Sequence, residues 1–227
     1  MPNPTRRLIL QAGLAGVGLV AGHVQATAKE RATTLLGMAK VESVPAKLSE
    51  SVLVLIDAQN EYRGGPLTLD RMESAIAHLA SLLQRARASG IPIIHVAQIG
   101  DPGDMFDRTG ERGQFISEVA PLEGEFVIEK PLPNSFARTG LQEHLSGVGR
   151  KNLIIAGFMT HMCVSSTVRA GFDLDYRITV ASDATATRAL PAAGGGRDLT
   201  ASQVQAAALA AMADYFATIV PSAKIPA

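Results

Sequence analysis

The sequence is poor in the residues on which several classes of protein depend. It has no tryptophan, three tyrosines and seven phenylalanines among 227 residues, and its 21 basic residues are balanced by 21 acidic ones. A nucleic-acid-binding protein usually shows a basic surface or aromatic side chains on which bases stack. The composition therefore argues against a nucleic-acid partner and favours a small-molecule partner.

Cysteine is also scarce, since Cys163 is the single example in the chain. One thiol excludes an intramolecular disulfide framework and any metal or iron–sulfur site that needs several cysteines. A lone cysteine is most often a small buried apolar residue, so its surroundings must decide whether it has a chemical role. With 47% hydrophobic residues and no net charge, the chain has the composition of a folded globular protein rather than a disordered one.

Residues 1 to 28 differ in composition from the rest of the chain. They contain no Asp, Glu or Lys, and their only charged residues are Arg6 and Arg7. These arginines precede an apolar run from Leu8 to Gly22 that is rich in Gly and Ala, and Ala26-Thr27-Ala28 offers a small-residue cleavage site. The run is shorter than the ~20 residues that span a bilayer. The pattern predicts a Tat-type signal peptide and a periplasmic or secreted mature chain with no membrane partner.

Residues 29 to 48 are polar and have no clear period, which predicts an exposed lead-in with one helical turn. From residue 49 to 227, short apolar runs alternate with segments of helical periodicity. The first run, Ser51 to Ile56, is apolar nearly throughout, which is typical of a strand buried on both faces of a parallel sheet. Further strands are predicted at 91–97, 125–129, 152–158, 177–181 and 217–220, and helices at 69–89, 135–145, 159–171 and 199–216. Thr68 or Asp70 is expected to cap the first of these helices. This alternation predicts a single α/β domain with a parallel sheet covered on both faces.

Polar residues follow three of the predicted strands, at the end where ligands bind in open parallel sheets. Asp57 follows the first strand, Lys130 the third, and Cys163 lies shortly after the fourth. We expect these side chains to converge on one edge of the sheet. Cys163 falls in the first turn of a predicted helix, where free N–H groups and a nearby Lys130 cation favour the thiolate over the thiol. With Asp57 to relay the thiol proton, the pattern predicts an activated nucleophile.

Each of these residues also has a simpler explanation. Asp57 could cap a turn, Lys130 could be a solvated surface charge, and Cys163 could be a buried apolar residue. His161 lies two positions before Cys163. Residues two apart on a helix point in different directions, which argues against a Cys–His dyad and leaves His161 as a pocket or surface residue.

Three segments in this order resemble the isochorismatase-like cysteine hydrolases. They are Val54–Asn60 (VLIDAQN), Ile128–Phe136 (IEKPLPNSF) and Gly157–Thr167 (GFMTHMCVSST). The resemblance runs from about residue 51 to Pro191, and its last part is most similar to streptothricin hydrolase-like members. It implies a three-layer α/β/α fold around a six-stranded parallel, Rossmann-like sheet.

The resemblance also implies the arrangement of the site. It assigns a catalytic Cys-Asp-Lys triad to Cys163, Asp57 and Lys130. It further implies a non-proline cis peptide between Phe158 and Met159. This peptide would direct the Met159 N–H, together with the Cys163 N–H, at an oxyanion. The expected reaction is hydrolysis of a small amide or cyclic amide through a thioester, with no cofactor.

Substrate and metal sites are less clearly marked in the sequence. Tyr62 and Phe136 fall where the family often places substrate-binding aromatic residues. Nicotinamidases of the family usually build a metal site from an Asp-x-His pair and a further His after the second strand. Here that loop carries Asp101 and Asp104 without a histidine, so we expect no metal and interpret both as turn residues.

Besides a purely structural exported oligomer, two alternatives to an amide hydrolase remain open from the sequence. The first is a thiol redox or small-molecule-binding protein that uses the same fold without turnover. The second is a nicotinamidase- or isochorismatase-type hydrolase, although siderophore-type isochorismatases carry Gly at the position of Cys163. Family members commonly form dimers or tetramers, so the resemblance implies a homodimer or homotetramer.

Overall fold

The structure, a computed structural model, describes residues 32–227 of the chain. The predicted signal peptide, residues 1 to 28, lies outside the described residues. The chain divides after Ser43 into two compact units. Residues 32–43 of the first unit contain one short helix, α1 (Leu35–Met38), in which the Thr34 side chain accepts a hydrogen bond of 3.0 Å from the Gly37 N–H.

The second unit, Val44–Ala227, is built on a six-stranded sheet in which every pair of neighbours is parallel. The order across the sheet is β3-β2-β1-β4-β5-β6. Strand order therefore reverses between β1 and β4, which is the switch point where open α/β sheets bind ligands. The strands are β1 (Ser51–Ile56), β2 (Ile93–Gln98), β3 (Phe126–Lys130), β4 (Asn152–Phe158), β5 (Arg177–Ala186) and β6 (Thr218–Val220).

Helices cover both faces of this sheet, which confirms the predicted three-layer α/β fold. Successive residues of β1 point to opposite faces, so Leu53 and Leu55 lie in one hydrophobic cluster while Val52 and Val54 lie in another. The first cluster includes Leu79 from the longest helix, and the second includes residues of the other three. The helices are α2 (Met72–Ala88), α3 (Leu141–Val148), α4 (Ser165–Asp173) and α5 (Ala201–Ala213). Within residues 32–227, none of the helices combines the length and apolar character needed to cross a membrane.

The start of α2 differs from the sequence prediction. Thr68 or Asp70 was expected to cap this helix, but the residue before its first turn is Arg71, in a left-handed conformation with φ of 53° and no side-chain cap. The Thr68 hydroxyl instead donates to the Gly65 carbonyl at 2.8 Å within the preceding loop. The predicted cap is therefore wrong, because Thr68 stabilises a local turn rather than the helix.

The helix predicted over 135–145 is displaced toward the carboxyl end and begins at Leu141. The Ser135 N–H donates to Thr167 Oγ1 at 3.0 Å, and the two hydroxyls also hydrogen-bond at 2.8 Å. Both side chains are buried. This tertiary contact with α4 holds the segment before α3 in an irregular conformation that helical periodicity alone does not reveal.

The strands β1 and β4 approach closely at their carboxyl ends. Gly157 pairs with Ile56 and has a φ of 116°, and a Cβ at Gly157 would overlap the Ile56 carbonyl oxygen. Only glycine meets both constraints, because it has no side chain and adopts positive φ at little cost. Asp57 directly follows β1, and Phe158 is the last residue of β4. This close approach therefore brings two segments with predicted site residues side by side.

Candidate active site

The three polar side chains predicted from the strand ends lie together at the carboxyl edge of the sheet. Lys130 Nζ is 2.8 Å from Asp57 Oδ2 and 3.3 Å from Cys163 Sγ. Asp57 and Lys130 have no exposed surface, and Cys163 is 4% exposed. The surface-charge explanation of Lys130 is therefore wrong, because its ammonium group is buried and contacts both the carboxylate and the thiol.

The segment that carries Cys163 is a turn of π-helix, Thr160–Val164, that leads into α4. Within it the Val164 N–H donates to the Met159 carbonyl at 3.2 Å. Thr160 Oγ1 donates to the Ala186 carbonyl at 3.0 Å and anchors the turn to the end of β5. The peptide bond between Phe158 and Met159 is cis. Cys163 thus lies shortly after β4, on a turn whose first residue is hydrogen-bonded to the end of β5.

The protonation state of the site differs from the sequence expectation. Burial raises the pKa of Asp57, and the Lys130 cation opposes this rise. Burial and the Asp57 charge raise the pKa of Cys163 to about 12, again with Lys130 opposing. The expected preference for a thiolate is therefore wrong for the resting site, because removal of the sulfur from water outweighs the nearby cation. At neutral pH Cys163 is therefore a thiol, and it lies beside the buried pair formed by Asp57 and Lys130.

Two buried or half-buried glutamines connect Lys130 to the end of β2. Gln98 Oε1 accepts from Lys130 Nζ at 2.6 Å, and Gln98 Nε2 donates to the Ile99 carbonyl at 3.1 Å. The Gln59 side chain bonds both backbone groups of Gln98, at 2.8 and 3.0 Å, and also donates to the Gly113 carbonyl at 2.8 Å. Sequence analysis assigned neither glutamine a role. Their signal was the one that identified Asp57 and Lys130, namely a polar residue at or shortly after the end of a strand.

Tyr62 lies next to the same groups. Its ring packs edge-on against Phe106 and Phe158, with centroids 5.3 and 6.0 Å away. Burial raises the pKa of Tyr62 well above its usual value, and charges on Asp57 and Cys163 add to the rise. Among the residues that the structure describes, none forms a hydrogen bond with its hydroxyl. Tyr62 is therefore a buried side chain with an unused donor close to the thiol.

Phe136, the second predicted substrate-binding residue, packs against Tyr176 and helix α4. Its ring stacks on Tyr176 with centroids 5.9 Å apart, and it contacts the second hydrophobic cluster. A Cβ at Gly171 of α4 would lie 3.3 Å from the Phe136 ring. These contacts account for the side chain without a ligand, and its role in substrate binding stays a prediction.

His161 and the acidic loop contribute nothing to the contacts of Cys163. His161 Nδ1 lies 2.5 Å from Thr187 Oγ1, which is consistent with the argument against a Cys–His dyad. Asp101 and Asp104 are exposed, and the Asp104 N–H donates to the Asp101 carbonyl at 3.0 Å in a turn. In the described part of the chain, no group of three or more His, Cys, Asp or Glu side chains is placed to hold a metal ion.

Comparison with known proteins gives consistent matches. Residues 51–224 match the family model described as Isochorismatase domain. The crystal structure of an isochorismatase from Pseudomonas putida KT2440 superimposes with a TM-score of 0.82 at 47% identity, and the match covers 86% of this chain and 100% of that one. The secreted isochorismatase effector Isc1 of Verticillium dahliae is 39% identical over 79% of this chain and 92% of its own.

Two further relatives are named as hydrolases, one of them as an amidohydrolase. The ureidoacrylate amidohydrolase RutB of Stutzerimonas stutzeri is 30% identical over 65% of this chain and 74% of its own. The streptothricin hydrolase of Streptomyces noursei is 29% identical over 77% of this chain and 63% of its own. The matched family model spans nearly the whole parallel sheet and the three converging side chains. The chain therefore belongs to the isochorismatase family of hydrolases.

Proposed function

We propose that the protein hydrolyses a small amide or cyclic amide through a thioester formed on Cys163. The observation that carries the proposal is the buried Lys130 ammonium, which lies 2.8 Å from the Asp57 carboxylate and 3.3 Å from the thiol. A nucleophile, a proton acceptor and a cation thus occupy one water-poor site. The relative RutB is named an amidohydrolase, which supports an amide-type substrate.

In the first half of the proposed reaction, Asp57 takes the thiol proton as Cys163 Sγ attacks the substrate carbonyl carbon. The raised pKa of Asp57 suits this role, because a more basic carboxylate accepts a proton from a weakly acidic thiol more readily. The carbonyl π electrons move onto oxygen, and a tetrahedral oxyanion forms. Lys130 stays charged and contacts both the group that gains the proton and the sulfur that loses it.

The oxyanion is proposed to rest on the backbone N–H groups of Met159 and Cys163. Such donors are worth about 3 to 4 kcal/mol of barrier each, because they are already oriented when charge develops on the oxygen. Protonated Asp57 then gives its proton to the leaving nitrogen as the C–N bond breaks. The products of this half-reaction are a free amine and a thioester on Cys163.

In the second half, water attacks the thioester and gives a proton to Asp57. The tetrahedral intermediate expels the Cys163 sulfur, the carboxylic acid product leaves, and the proton held by Asp57 returns to the sulfur. Tyr62 is proposed to donate its unused hydroxyl to the substrate, since the hydroxyl lies near the reacting groups. Phe136 is proposed as an apolar boundary of the substrate site, because it packs against the hydrophobic cluster that includes Cys163.

The redox alternative receives less support from the geometry. Cysteines that sense oxidants are accessible and have a low pKa. Cys163 is 4% exposed and its pKa is raised to about 12. A thiol of this kind needs a base at the moment of reaction, and Asp57 is placed to be that base.

A hydrolysis screen with matched variants tests the proposal. The purified protein is incubated with primary amides, ureas, lactams and hydroxamates, and mass spectrometry detects products that have gained one water. Cys163→Ser retains the size of the side chain and is expected to reduce turnover by about 10³-fold or more. It should also abolish the acyl adduct that intact-mass analysis detects in the native enzyme. Turnover that persists in Cys163→Ser, with a native circular dichroism spectrum, would contradict the assignment.

We also propose that the chain is exported. Arg6 and Arg7 precede the apolar run, and the relative Isc1 is named a secreted effector. Cell fractionation of the full chain, compared with the variant Arg6→Lys/Arg7→Lys, tests this. The native chain should reach the periplasm or medium, and the variant should stay in the cytoplasm. Equal export of both chains would exclude a twin-arginine signal.

A further inference from the structure

We propose that Gln98 is a positioning residue for this hydrolysis, which fixes the Lys130 ammonium between Asp57 and Cys163. The inference rests on the proposed function for its chemical meaning, since it concerns the readiness of the thiol to react. Its evidence is separate, because it comes from the contacts of one amide side chain at the end of β2.

Lys130 Nζ has three polar partners, which are two hydrogen-bond acceptors and the carboxylate of its ion pair. An ammonium group has three donors and no acceptor. Its partners are Gln98 Oε1 at 2.6 Å, Asp57 Oδ2 at 2.8 Å and Cys163 Sγ at 3.3 Å. Because Lys130 is fully buried, water is not available to replace a missing partner. The Gln98 oxygen therefore limits the rotation of the ammonium group and holds it beside the carboxylate and the sulfur.

The Gln98 amide can present only its oxygen to Lys130. Its nitrogen donates to the Ile99 carbonyl, which accepts but cannot donate. The backbone of Gln98 is held on both sides by Gln59, whose amide accepts from the N–H and donates to the carbonyl. Gln59 is itself fully buried and tied to the Gly113 carbonyl. The position of the oxygen is thus fixed by a second layer of hydrogen bonds.

A neutral oxygen at this position has a distinct electrostatic effect. It satisfies one proton of Lys130 without neutralising the cation, so the full positive charge remains available to Asp57 or to a thiolate on Cys163. A carboxylate there would compete for Lys130 and place an additional negative charge beside the sulfur, which disfavours the thiolate. An apolar side chain would leave a buried ammonium proton without an acceptor, which disfavours the cation itself. Both changes should make the thiol harder to ionise.

The test is the alkylation of Cys163 by iodoacetamide in the full-length protein between pH 6 and pH 10. The chain has a single cysteine, so every alkylated molecule reports on this thiol and no substrate is needed. Gln98→Glu retains the shape of the side chain and Gln98→Met retains its length. Each unit of increase in the pKa of Cys163 lowers the fraction of thiolate about tenfold. The thiolate that remains is about threefold more nucleophilic, which offsets part of this loss. We therefore expect the alkylation rate of both variants at pH 8 to be lower than that of the native protein by a factor of about three or more.

A purely structural role of Gln98 predicts the opposite direction of change. Loss of packing would expose the 4%-exposed thiol and accelerate its alkylation, and a variant that unfolds would behave in the same way. Thr160→Val is the matched control, because it removes a buried hydrogen bond to the Ala186 carbonyl near Cys163 without any contact to Lys130. It should not slow alkylation.

Slower alkylation in both Gln98 variants, with a native circular dichroism spectrum and no slowing in Thr160→Val, supports the positioning role. Unchanged or faster alkylation in Gln98→Glu overturns it. The result is independent of the screen for hydrolysis. If no amide is hydrolysed but the Gln98 variants react more slowly, the positioning role holds and the proposed reaction fails.

Discussion

Replacement of Lys130 by methionine isolates the role of the buried cation. Lys130→Met retains the length and most of the volume of the side chain but leaves the Asp57 carboxylate without its partner at 2.8 Å. Removal of one member of a buried ion pair costs about 3 to 5 kcal/mol, because the other charge stays buried and uncompensated. Since Lys130 opposes the rise in the pKa of Asp57 that burial causes, the variant must raise this pKa further.

The penalty should therefore depend on pH, with a defined sign. The folded-state pKa of Asp57 in the variant lies above the unfolded value of ~3.9. Between these two values the folded state binds a proton that the unfolded state has released, so stability falls as pH rises, by up to ~1.4 kcal/mol per pH unit. The variant should lose less stability relative to the native protein at pH 5 than at pH 8.

Urea denaturation followed by far-ultraviolet circular dichroism at pH 5 and pH 8 measures this difference. The double variant Asp57→Asn/Lys130→Met carries no charge at either position and should recover most of the loss seen at pH 8. Lys47→Met is the control, because Lys47 pairs with Glu50 at the surface, where both side chains are more than half exposed, and such pairs contribute little. An equal loss at both pH values in Lys130→Met, or no recovery in the double variant, would refute the reasoning.

Three further predictions concern single residues at the site or beside it. Tyr62→Phe removes a hydroxyl that forms no hydrogen bond with another described residue. The stability of the protein should therefore change little, while KM for any substrate found in the screen should rise. An unchanged KM would contradict substrate binding by Tyr62. Gly157→Ala should unfold the protein or destabilise it by more than ~3 kcal/mol in thermal denaturation, because its Cβ overlaps the Ile56 carbonyl. Gly149→Ala, also at positive φ but with open space around the Cβ, should cost about 1 kcal/mol, and equal losses would contradict the steric argument. Alkylation of native Cys163 should accelerate about tenfold per pH unit from pH 7 to pH 10, since its pKa is raised to about 12; a plateau near pH 8 would contradict that value.

The sequence was a good guide to the fold wherever burial on both faces produced a continuous apolar run. The predicted strand at 152–158 has the bounds found in β4, and the alternation of strands and helices was sufficient to predict a parallel sheet. Helix ends were less predictable. Thr68 and Ser135 lie where local patterns suggest caps or helix, but their hydrogen bonds to Gly65 and Thr167 compete with the helical conformation.

The convergence of the three polar side chains was predictable, but their protonation was not. Asp57, Lys130 and Cys163 could be selected because each lies at or after the end of a strand, and parallel strands bring such ends together. The protonation state could not be derived in this way, because it depends on how completely the sulfur is removed from water. The part played by Gln98 was also missed, although this residue ends a strand, because the importance of a side-chain amide arises from the atom it faces.

The enclosure of the pair formed by Asp57 and Lys130 has a consequence for the conditions in which the protein can work. Dissolved ions screen charges that face water but weakly affect those that are buried. Both members of the pair have no exposed surface, and transfer of the thiol proton moves the negative charge from oxygen to sulfur beside the same cation. The chemical step should therefore be insensitive to ionic strength. For an exported protein, this property would separate its reactivity from the salt content of the medium outside the cell.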